Sequence, residues 1–378
     1  MSLPVVVRPI TSARDLERFI ALPYDLFRGD PVWVPRLRMD VRKQLDRKKN
    51  PFFEHAEAEY FLAERAGRVI GRIAAIHNRL HNEFHQDTVG FFGWFESEND
   101  PAVSAALFDT AAAWLKQRRL TVMRGPASFS SNDEFGLLVS NFETPPTLLN
   151  PHNPEYYVRL VEGAGFAKVK DLWQYQYYAR TPKVPDRITR GAEIVSERNH
   201  LSMRMLNMKR YHAEVGMIKG LYNSAWDKNW GFVPMTDHEI DHMANDLKPV
   251  VVPEGVVFVY KEGVSDPIGF AVALPDLNVA FKKNPSGRLF PGILRVLWEA
   301  RRGNIARGRI LLLGVQPEYR NSGAEVLLYK WIWEEGYKLG FRWGEAGWIL
   351  EDNTAMNNGL KRIGFEHYKT LRIYDRPL

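Results

Sequence analysis

The chain repeats itself. Residues 61–76, Phe61-Leu62-Ala63-Glu64-Arg65 through Gly71-Arg72-Ile73-Ala74-Ala75-Ile76, read as two apolar strands joined by a polar glycine turn. Residues 258–274, from Phe258-Val259-Tyr260 through Ile268-Gly269-Phe270-Ala271-Val272, carry the same pattern. Gly71 and Gly269 stand 198 residues apart, and Gly165-Phe166 precedes Gly364-Phe365 by 199. Two separated matches at nearly one offset predict two copies of one mixed α/β unit, which a chain of 378 residues is long enough to hold. The polar stretch Arg180–Arg187, with Pro182 and Pro185, marks the join. We therefore expect a first unit over 1–180, a linker over 181–191 and a second unit over 192–378. Each should open with a strand and helices: Val5–Ile10 then Ser12–Leu22, and Glu193–Val195 then Asn199–Val215. After each hairpin should come a strand, a long helix (Pro101–Gln117, Gly323–Leu339), a further strand and a last helix ending at Gly-Phe.

The copies differ at the turn that enters the long helix. In the first it reads Glu96-Ser97-Glu98-Asn99-Asp100-Pro101, which starts a helix well and repels anions. In the second, the strand-like run Ile310–Val315 leads into Gln316-Pro317-Glu318-Tyr319-Arg320-Asn321-Ser322-Gly323-Ala324. A tight turn at a helix start presents unpaired N–H groups at the positive end of the helix. Gly323 allows close backbone approach and Arg320 adds charge, a combination suited to a diphosphate. Glu325 directly follows and is the one unfavourable neighbour.

Composition narrows the chemistry. With no cysteine, thiol nucleophiles, thiolate metal sites and disulfides are excluded. Hydrophobic residues at 45% and charged residues at 25% are those of a globular protein. The opening Met1–Arg8 reads as a strand and not as a signal peptide, and no run is long and apolar enough to span a membrane, so a cytoplasmic protein is expected. The net charge of +6 favours anionic partners, but it is dispersed and accompanies no nucleic-acid motif. His77, His81 and His85 fall at helical spacing, yet Asn78, Arg79, Asn82 and Glu83 between them predict an exposed helix and no metal.

Downstream of the basic turn the chain reads Asn353-Thr354-Ala355, then Leu360, then Gly364-Phe365. Together with Arg320-Asn321-Ser322-Gly323-Ala324, these segments resemble the acyl-CoA loop and following helix of the GNAT acyltransferases. Over nearly its whole length the chain resembles a bacterial family of tandem GNAT proteins that includes the bacterial ceramide synthases. The stretches that carry this are Asn50–His55, Gly90–Glu96, Asn132–Gly136, Tyr222-Asn223, Trp230–Pro234, Leu274–Asn278 and Trp348–Asn353. The resemblance implies two tandem GNAT folds, each a mixed central sheet flanked by helices. It further implies acyl-CoA as co-substrate, held by Leu313, Gly314, Val315, Arg320, Asn321, Ser322, Gly323, Ala324 and Asn353 of the second unit. It implies transfer of a fatty acyl group to the amine of a sphingoid-type lipid, with the first unit as scaffold or as a wall of the acceptor site. The family's usual general acid is a tyrosine seven residues after the Asn, and here that position is Leu360.

For the base we expect a carboxylate at the edge of the central strands. Asp276, beside Asn278 at a strand end, and Glu351 are candidates; so are Asn132 and Asp133 in the long loop of the first unit, and His55. Each also has a structural role open to it as a turn former, cap or packed side chain. Tyr211, Tyr222, Trp226, Trp230 and Phe232 are core aromatics or the lining of an acceptor tunnel. The insertion Phe281–Arg302 mixes Leu289, Phe290, Ile293, Leu294, Val296, Leu297 and Trp298 with cations, as does a helix lying on an anionic membrane or packing on the body. The competing functions are acyl transfer to a small amine or a protein N-terminus, an aminoacyl-tRNA-dependent transfer, and a catalytically silent CoA-binding module. No motif encodes acyl length or oligomeric state.

Overall fold

The computed structural model describes residues 3–181, 183–301 and 305–378; Pro182 of the join and Arg302 of the insertion lie outside them. The first half contains β1 (Val6–Pro9), α1 (Ala13–Leu26), α2 (Arg38–Leu45), β2 (Ala56–Arg65), β3 (Arg68–Asn78), α3 (Arg79–His85), β4 (Val89–Ser97), α4 (Pro101–Lys116), β5 (Val122–Gly125), β6 (Leu137–Leu138), α5 (Tyr156–Gly163) and β7 (Ala167–Tyr178). The second contains α6 (Asp186–Asn199), β8 (Leu201–Met205), α7 (Tyr211–Trp226), α8 (Asp237–Leu247), β9 (Val256–Lys261), β10 (Gly269–Pro275), α9 (Asn278–Phe281), α10 (Gly292–Arg301), β11 (Arg307–Val315), α11 (Ala324–Lys338), β12 (Trp343–Leu350), α12 (Thr354–Arg362) and β13 (Glu366–Pro377).

Among the described residues all strands join one sheet in the order β1-β2-β3-β4-β5-β13-β7-β12-β11-β10-β9-β8, with β6 alongside β13. The last strands are therefore exchanged. β13 pairs with β5 of the first half, and β7 pairs with β12 of the second. β7 and β13 run antiparallel at the centre, with Ala167 opposite Asp375, Gln176 opposite Glu366 and Leu172 opposite Leu371. Applying the 199-residue offset to any of these pairs returns a pair of the same register, so the seam is a local two-fold axis passing beside Leu172 and Leu371. The repeated Gly-Phe now has a cause: Gly165 and Gly364 enter these strands at φ +87° and +93°, where a Cβ is disfavoured, and Phe166 and Phe365 are buried.

Helices cover both faces. α4 and α5 pack Leu107, Phe108, Leu115, Tyr157 and Leu160 on one face of the first half. In the second half α6 and α11 cover one face with Ala192, Leu327, Leu328 and Trp331, and α7 and α8 cover the other with Val215, Leu221 and Ile240. Caps fix the helix starts: Ser12 accepts from the Asp15 N–H, Asp100 from Ala102, Asn353 from Met356, and Thr236 with Glu239 forms a capping box.

Two expectations fail. Glu193–Val195 is not a strand; it lies in α6, which begins at Asp186, and the helix expected over Asn199–Val215 gives way to strand β8, with α7 starting only at Tyr211. The β-branched Ile194-Val195 pair suggests a strand, but Ile188, Ala192 and Val195 at helical spacing are buried or packed against the α11 side of the sheet, and tertiary packing wins. The three histidines do not share an exposed helix either. His77 ends β3, whereas His81 is 2% exposed, packs on Phe91 and sits 4.4 Å from the His85 ring. Burial drives the His81 imidazolium down to about 3, so the residue is a neutral core side chain.

Candidate active site

β11 and β12 run parallel only from Arg307 opposite Trp343 to Ile310 opposite Ala346. Beyond that point β11 stays paired to β10 as far as Val315, so the β12-facing edge of Leu311–Val315 has no strand partner. β12 bulges at Gly347–Trp348 and continues beside β7. The two strands thus open a cleft whose backbone edge includes Leu313, Gly314 and Val315. Trp226 of α7 closes its back, so tightly that a Cβ on Gly314 would sit 2.5 Å from the indole.

At the mouth of the cleft the chain turns into α11. Gly323 is the N-cap at φ +81°, and Arg320 and Asn321 are exposed. Arg320 donates to the Ala225 carbonyl at 2.9 Å, the Ser322 hydroxyl accepts from the Ala324 N–H, and Asn199 holds the Ser322 carbonyl. These bonds fix a helix N-terminus toward which an anion can approach. Glu325 lies one turn before Tyr329 on α11; burial raises its carboxyl, and Arg320 offsets part of that. The Asn353 side chain is committed to capping α12. Leu360 is buried, so no hydroxyl comes from that position. The nearby hydroxyl is that of Tyr329 on α11, which packs against the same core cluster as Leu360, and a Cβ on Gly359 would lie 2.5 Å from it. That hydroxyl has a weak contact with the Met356 sulfur at 3.8 Å, and burial raises it to about 12.

The corresponding place in the first half is closed. β4 and β5 pair from Val89 to Phe91, and then the Ala127 N–H donates to the Phe92 carbonyl. A Cβ on Gly93 would lie 1.8 Å from the Ala127 oxygen. The turn into α4 is sealed by ion pairs, Arg65 with Asp100 at 2.7 Å and Arg68 with Glu98 at 2.5 Å.

The loop that fills this cleft continues to where the two halves meet. A cavity of about 500 Å³, the seam cavity, lies where α8 and α9 of the second half meet α1, α2, β4 and the 126–153 segment of the first; neither β7 nor β13 lines it. Asn132, Asp133 and Asn278 line it. Asn132 accepts from the Tyr222 hydroxyl at 2.6 Å and donates to the Val233 carbonyl. Asp133 accepts from Ser130 and Gln44 at 3.2 and 3.1 Å; burial pushes its carboxyl up to about 7, and neighbouring Glu239 adds to the rise. His55 stands behind this wall, with Nε2 3.1 Å from Glu239 and Nδ1 3.1 Å from Asn78. Burial pulls its imidazole down, and the bonds to Glu239 and Asn78 outweigh that, so it is raised. Phe135, from the same loop, packs at 5.8 Å on Trp348, whose backbone lies at the β12 bulge beside the open cleft. One loop thus reaches from the cavity to that bulge.

Of the other candidates, Asp276 lies just behind the cavity wall, bonded to the lining residues Leu148 and Asn278. Asp276 is 1% exposed, accepts from the Leu148 N–H, and has Arg307 3.1 Å from Oδ2; burial lifts it to about 6. Asn278 donates to the Pro146 carbonyl. Glu351 accepts from the Asp171 N–H and pairs with Lys168 at the far end of β12. Tyr222, Trp226 and Phe232 stack on one another and on Phe270, and Trp230 sits under Arg124; none of them lines the cavity. The sequence reading missed a buried polar cluster below the cleft. Glu345 accepts from Thr147, Asn150 and Tyr368 and faces Arg309, while Lys369 donates to the Thr144 and Pro145 carbonyls and is driven down to about 8 by burial. Its signal was available: Arg309 and Glu345 are charges inside otherwise apolar strands. The cluster clamps the 144–150 segment of the first half onto the sheet of the second.

No family profile matches the chain. A bacterial ceramide synthase of Caulobacter vibrioides is 37% identical over 382 residues, covering 98% of this chain and 97% of the relative. Protein YghO of Escherichia coli K12 is 35% identical over 385 residues, covering 99% and 95%. The chain belongs to the bacterial tandem GNAT acyltransferase family that includes the bacterial ceramide synthases. As a member of this family it is an N-acyltransferase. Solved tandem GNAT structures share the fold: a tandem GNAT protein from the clavulanic acid biosynthesis pathway superposes with a TM-score of 0.57 at 12% identity, covering 99% of this chain and 98% of that one. A GCN5-related N-acetyltransferase from Sphaerobacter thermophilus does so at 0.54 and 12%, covering 100% and 97%. Among the described residues no helix is long and apolar enough to cross a membrane, and no group of His, Asp and Glu is arranged to hold a metal.

Proposed function

We propose that the protein transfers a fatty acyl group from acyl-CoA to the amine of a sphingoid-type lipid, with residues 192–378 holding the donor and residues 1–180 the acceptor. The observation that carries this reading is the asymmetry of the clefts: only the second half combines opened strands with a glycine turn and a basic residue, and the matching space in the first half is filled by its own chain. Full-length likeness to a bacterial ceramide synthase supports the lipid amine as acceptor.

In this reading the diphosphate sits at the α11 N-terminus near Arg320 and Gly323, and the free edge of β11 at Leu313–Val315 offers N–H groups to the thioester carbonyl. Asp133 takes the amine proton; a carboxyl near 7 is matched to that task, and Glu239 with His55 flanks it. As the nitrogen–carbon bond forms and the carbon–sulfur bond breaks, sulfur leaves as thiolate. Tyr329 donates a hydrogen bond to it from α11, in place of the hydroxyl missing at Leu360. Its raised value keeps the phenol neutral, so it stabilises the thiolate and does not fully protonate it.

The lipid acceptor has a route. Phe290, Leu294 and Trp298, four residues apart, are 67, 59 and 50% exposed near Lys283 and Arg288, an arrangement suited to an anionic membrane surface. The test of the reading is thiol release from palmitoyl-CoA and acetyl-CoA, with and without a long-chain sphingoid amine; lacking cysteine, the protein contributes no thiol of its own. Amine-dependent release from palmitoyl-CoA is expected. Release from acetyl-CoA alone replaces the lipid with a small amine, and release from neither makes the protein a silent binding module.

A further inference from the structure

The seam cavity has a charge opposite to that of the molecule. The chain carries a net +6, yet six carboxylates (Asp40, Glu96, Asp133, Glu134, Glu239 and Asp246) line the cavity against three cations. Each cation already faces a carboxylate of the lining: Lys43 with Asp246 at 2.5 Å, Arg36 with Glu134 at 3.5 Å and Arg72 with Glu96 at 3.4 Å. Glu239 has His55. Asp40 is exposed to solvent, and Asp133 is left with neutral donors, the Ser130 hydroxyl and the Gln44 amide. A half-buried carboxylate without an ion pair favours a cation from outside the chain.

The cavity also holds polar atoms awaiting partners. Trp94 Nε1 and Asn150 Oδ1 are buried without a hydrogen bond, in residues 6% exposed, and both residues line the space; His152, also in the lining, faces Asp30 at 3.6 Å. An indole N–H can only donate, and an amide oxygen can only accept. The wall formed by α2, the residues before it and α8 adds Val34, Leu37, Val41, Met243 and Leu247, apolar side chains interspersed with Asp40, Lys43, His242 and Asp246. A donor acyl chain is poorly served by a space with this many carboxylates.

We propose that this cavity is the acceptor site and that it takes a long-chain amino alcohol: the ammonium on Asp133, headgroup hydroxyls on Trp94 Nε1 and Asn150 Oδ1, and the start of the alkyl chain between α2 and α8. The site rests on the amino-lipid reading above and extends it, because the recognition falls to the half that has no donor cleft. The loop that places Asp133 in the cavity also packs Phe135 on Trp348, at the β12 bulge beside the donor cleft.

The test is equilibrium binding to the full chain without acyl-CoA, read by calorimetry, of sphinganine and of a chain-matched diol lacking the amine. The amine should bind on the order of tenfold more tightly than the diol, as expected of one charge-assisted contact. The isosteric variant Asp133→Asn should remove that difference while CoA affinity, measured in parallel as a check of folding, stays unchanged. Val41→Trp, which fills the alkyl part, should weaken amine and diol alike. Equal binding of amine and diol, or an Asp133→Asn protein that still prefers the amine, overturns the site. Amine-selective binding with no turnover of palmitoyl-CoA upholds the site and sinks the amino-lipid transferase reading. Turnover with amine affinity indifferent to Asp133 does the reverse.

Discussion

The two halves share a fold and an order of elements, and they differ most at one place, the opening between the fourth and fifth strands of each repeat. In the second half that opening stays free above Ile310 and Ala346 and points to a glycine turn. In the first half the Gly125–Ala127 segment returns to Phe92, and the turn beyond it carries acids held by arginines. The lesson is that a duplicated site need not decay into nothing. The insertion that fills the first opening is the same one that brings Asp133 into the seam cavity and Asn150 onto Glu345. On the proposed reading, closing one donor cleft and building an acceptor wall for the other are one structural event.

The contrast can be broken at several points. Asp133→Asn should lower kcat by roughly a thousandfold, within the range for loss of a general base, in steady-state assays with the protein otherwise folded. The pH profile gives the sign: the carboxyl must be ionised to accept a proton, so kcat should rise as pH passes about 7 in the parent protein, and this rise should vanish in the variant. If the first half were scaffold alone, both would be unmoved.

Next in size is Gly323→Asp, which places a side chain at φ +81° and a carboxylate at the anion end of α11. We expect CoA affinity to fall by about a hundredfold, as measured by calorimetry. Its counterpart, Asp100→Ala, should leave CoA affinity alone and cost about 1 kcal/mol of stability as a lost helix cap, read by denaturant unfolding. A drop in CoA affinity from Asp100→Ala would place a donor site in both halves. Smaller still, Tyr329→Phe should reduce kcat about tenfold with an unchanged KM for acyl-CoA, and it should raise the ionisation point of bound CoA thiol followed by thiolate absorbance.

The parts legible in the sequence were those with local causes. The hairpins, the turn at Gly323, the acid turn at Asp100 and the Gly-Phe pairs each reflect a backbone or charge requirement confined to a few residues. Two kinds of feature were not legible. Pairing across the seam leaves no local trace, since Leu172 and Leu371 look like any apolar strand residues. The cavity gathers residues from segments as distant as Val34, Trp94, Asn150 and Leu247, so its charge imbalance exists only after folding. Asp276 illustrates the difference. Its place at a strand end made it a fair candidate base, but the fold buries it against Arg307 and the Leu148 N–H, outside the cavity.

The exchange of final strands has a consequence for inheritance. A duplicated enzyme whose copies fold separately can discard the copy that has lost its donor site. Here β13, the last strand of the second half, has its places beside β5 and β7, both encoded by the first half, and β12 is flanked by β7 in turn. Deleting the first 180 residues would strip the surviving repeat of the neighbours on that side of its sheet and expose an unpaired edge. The two copies are bound to a common fate by their hydrogen bonds, so either one could drift in sequence and take up a new task without ever becoming dispensable.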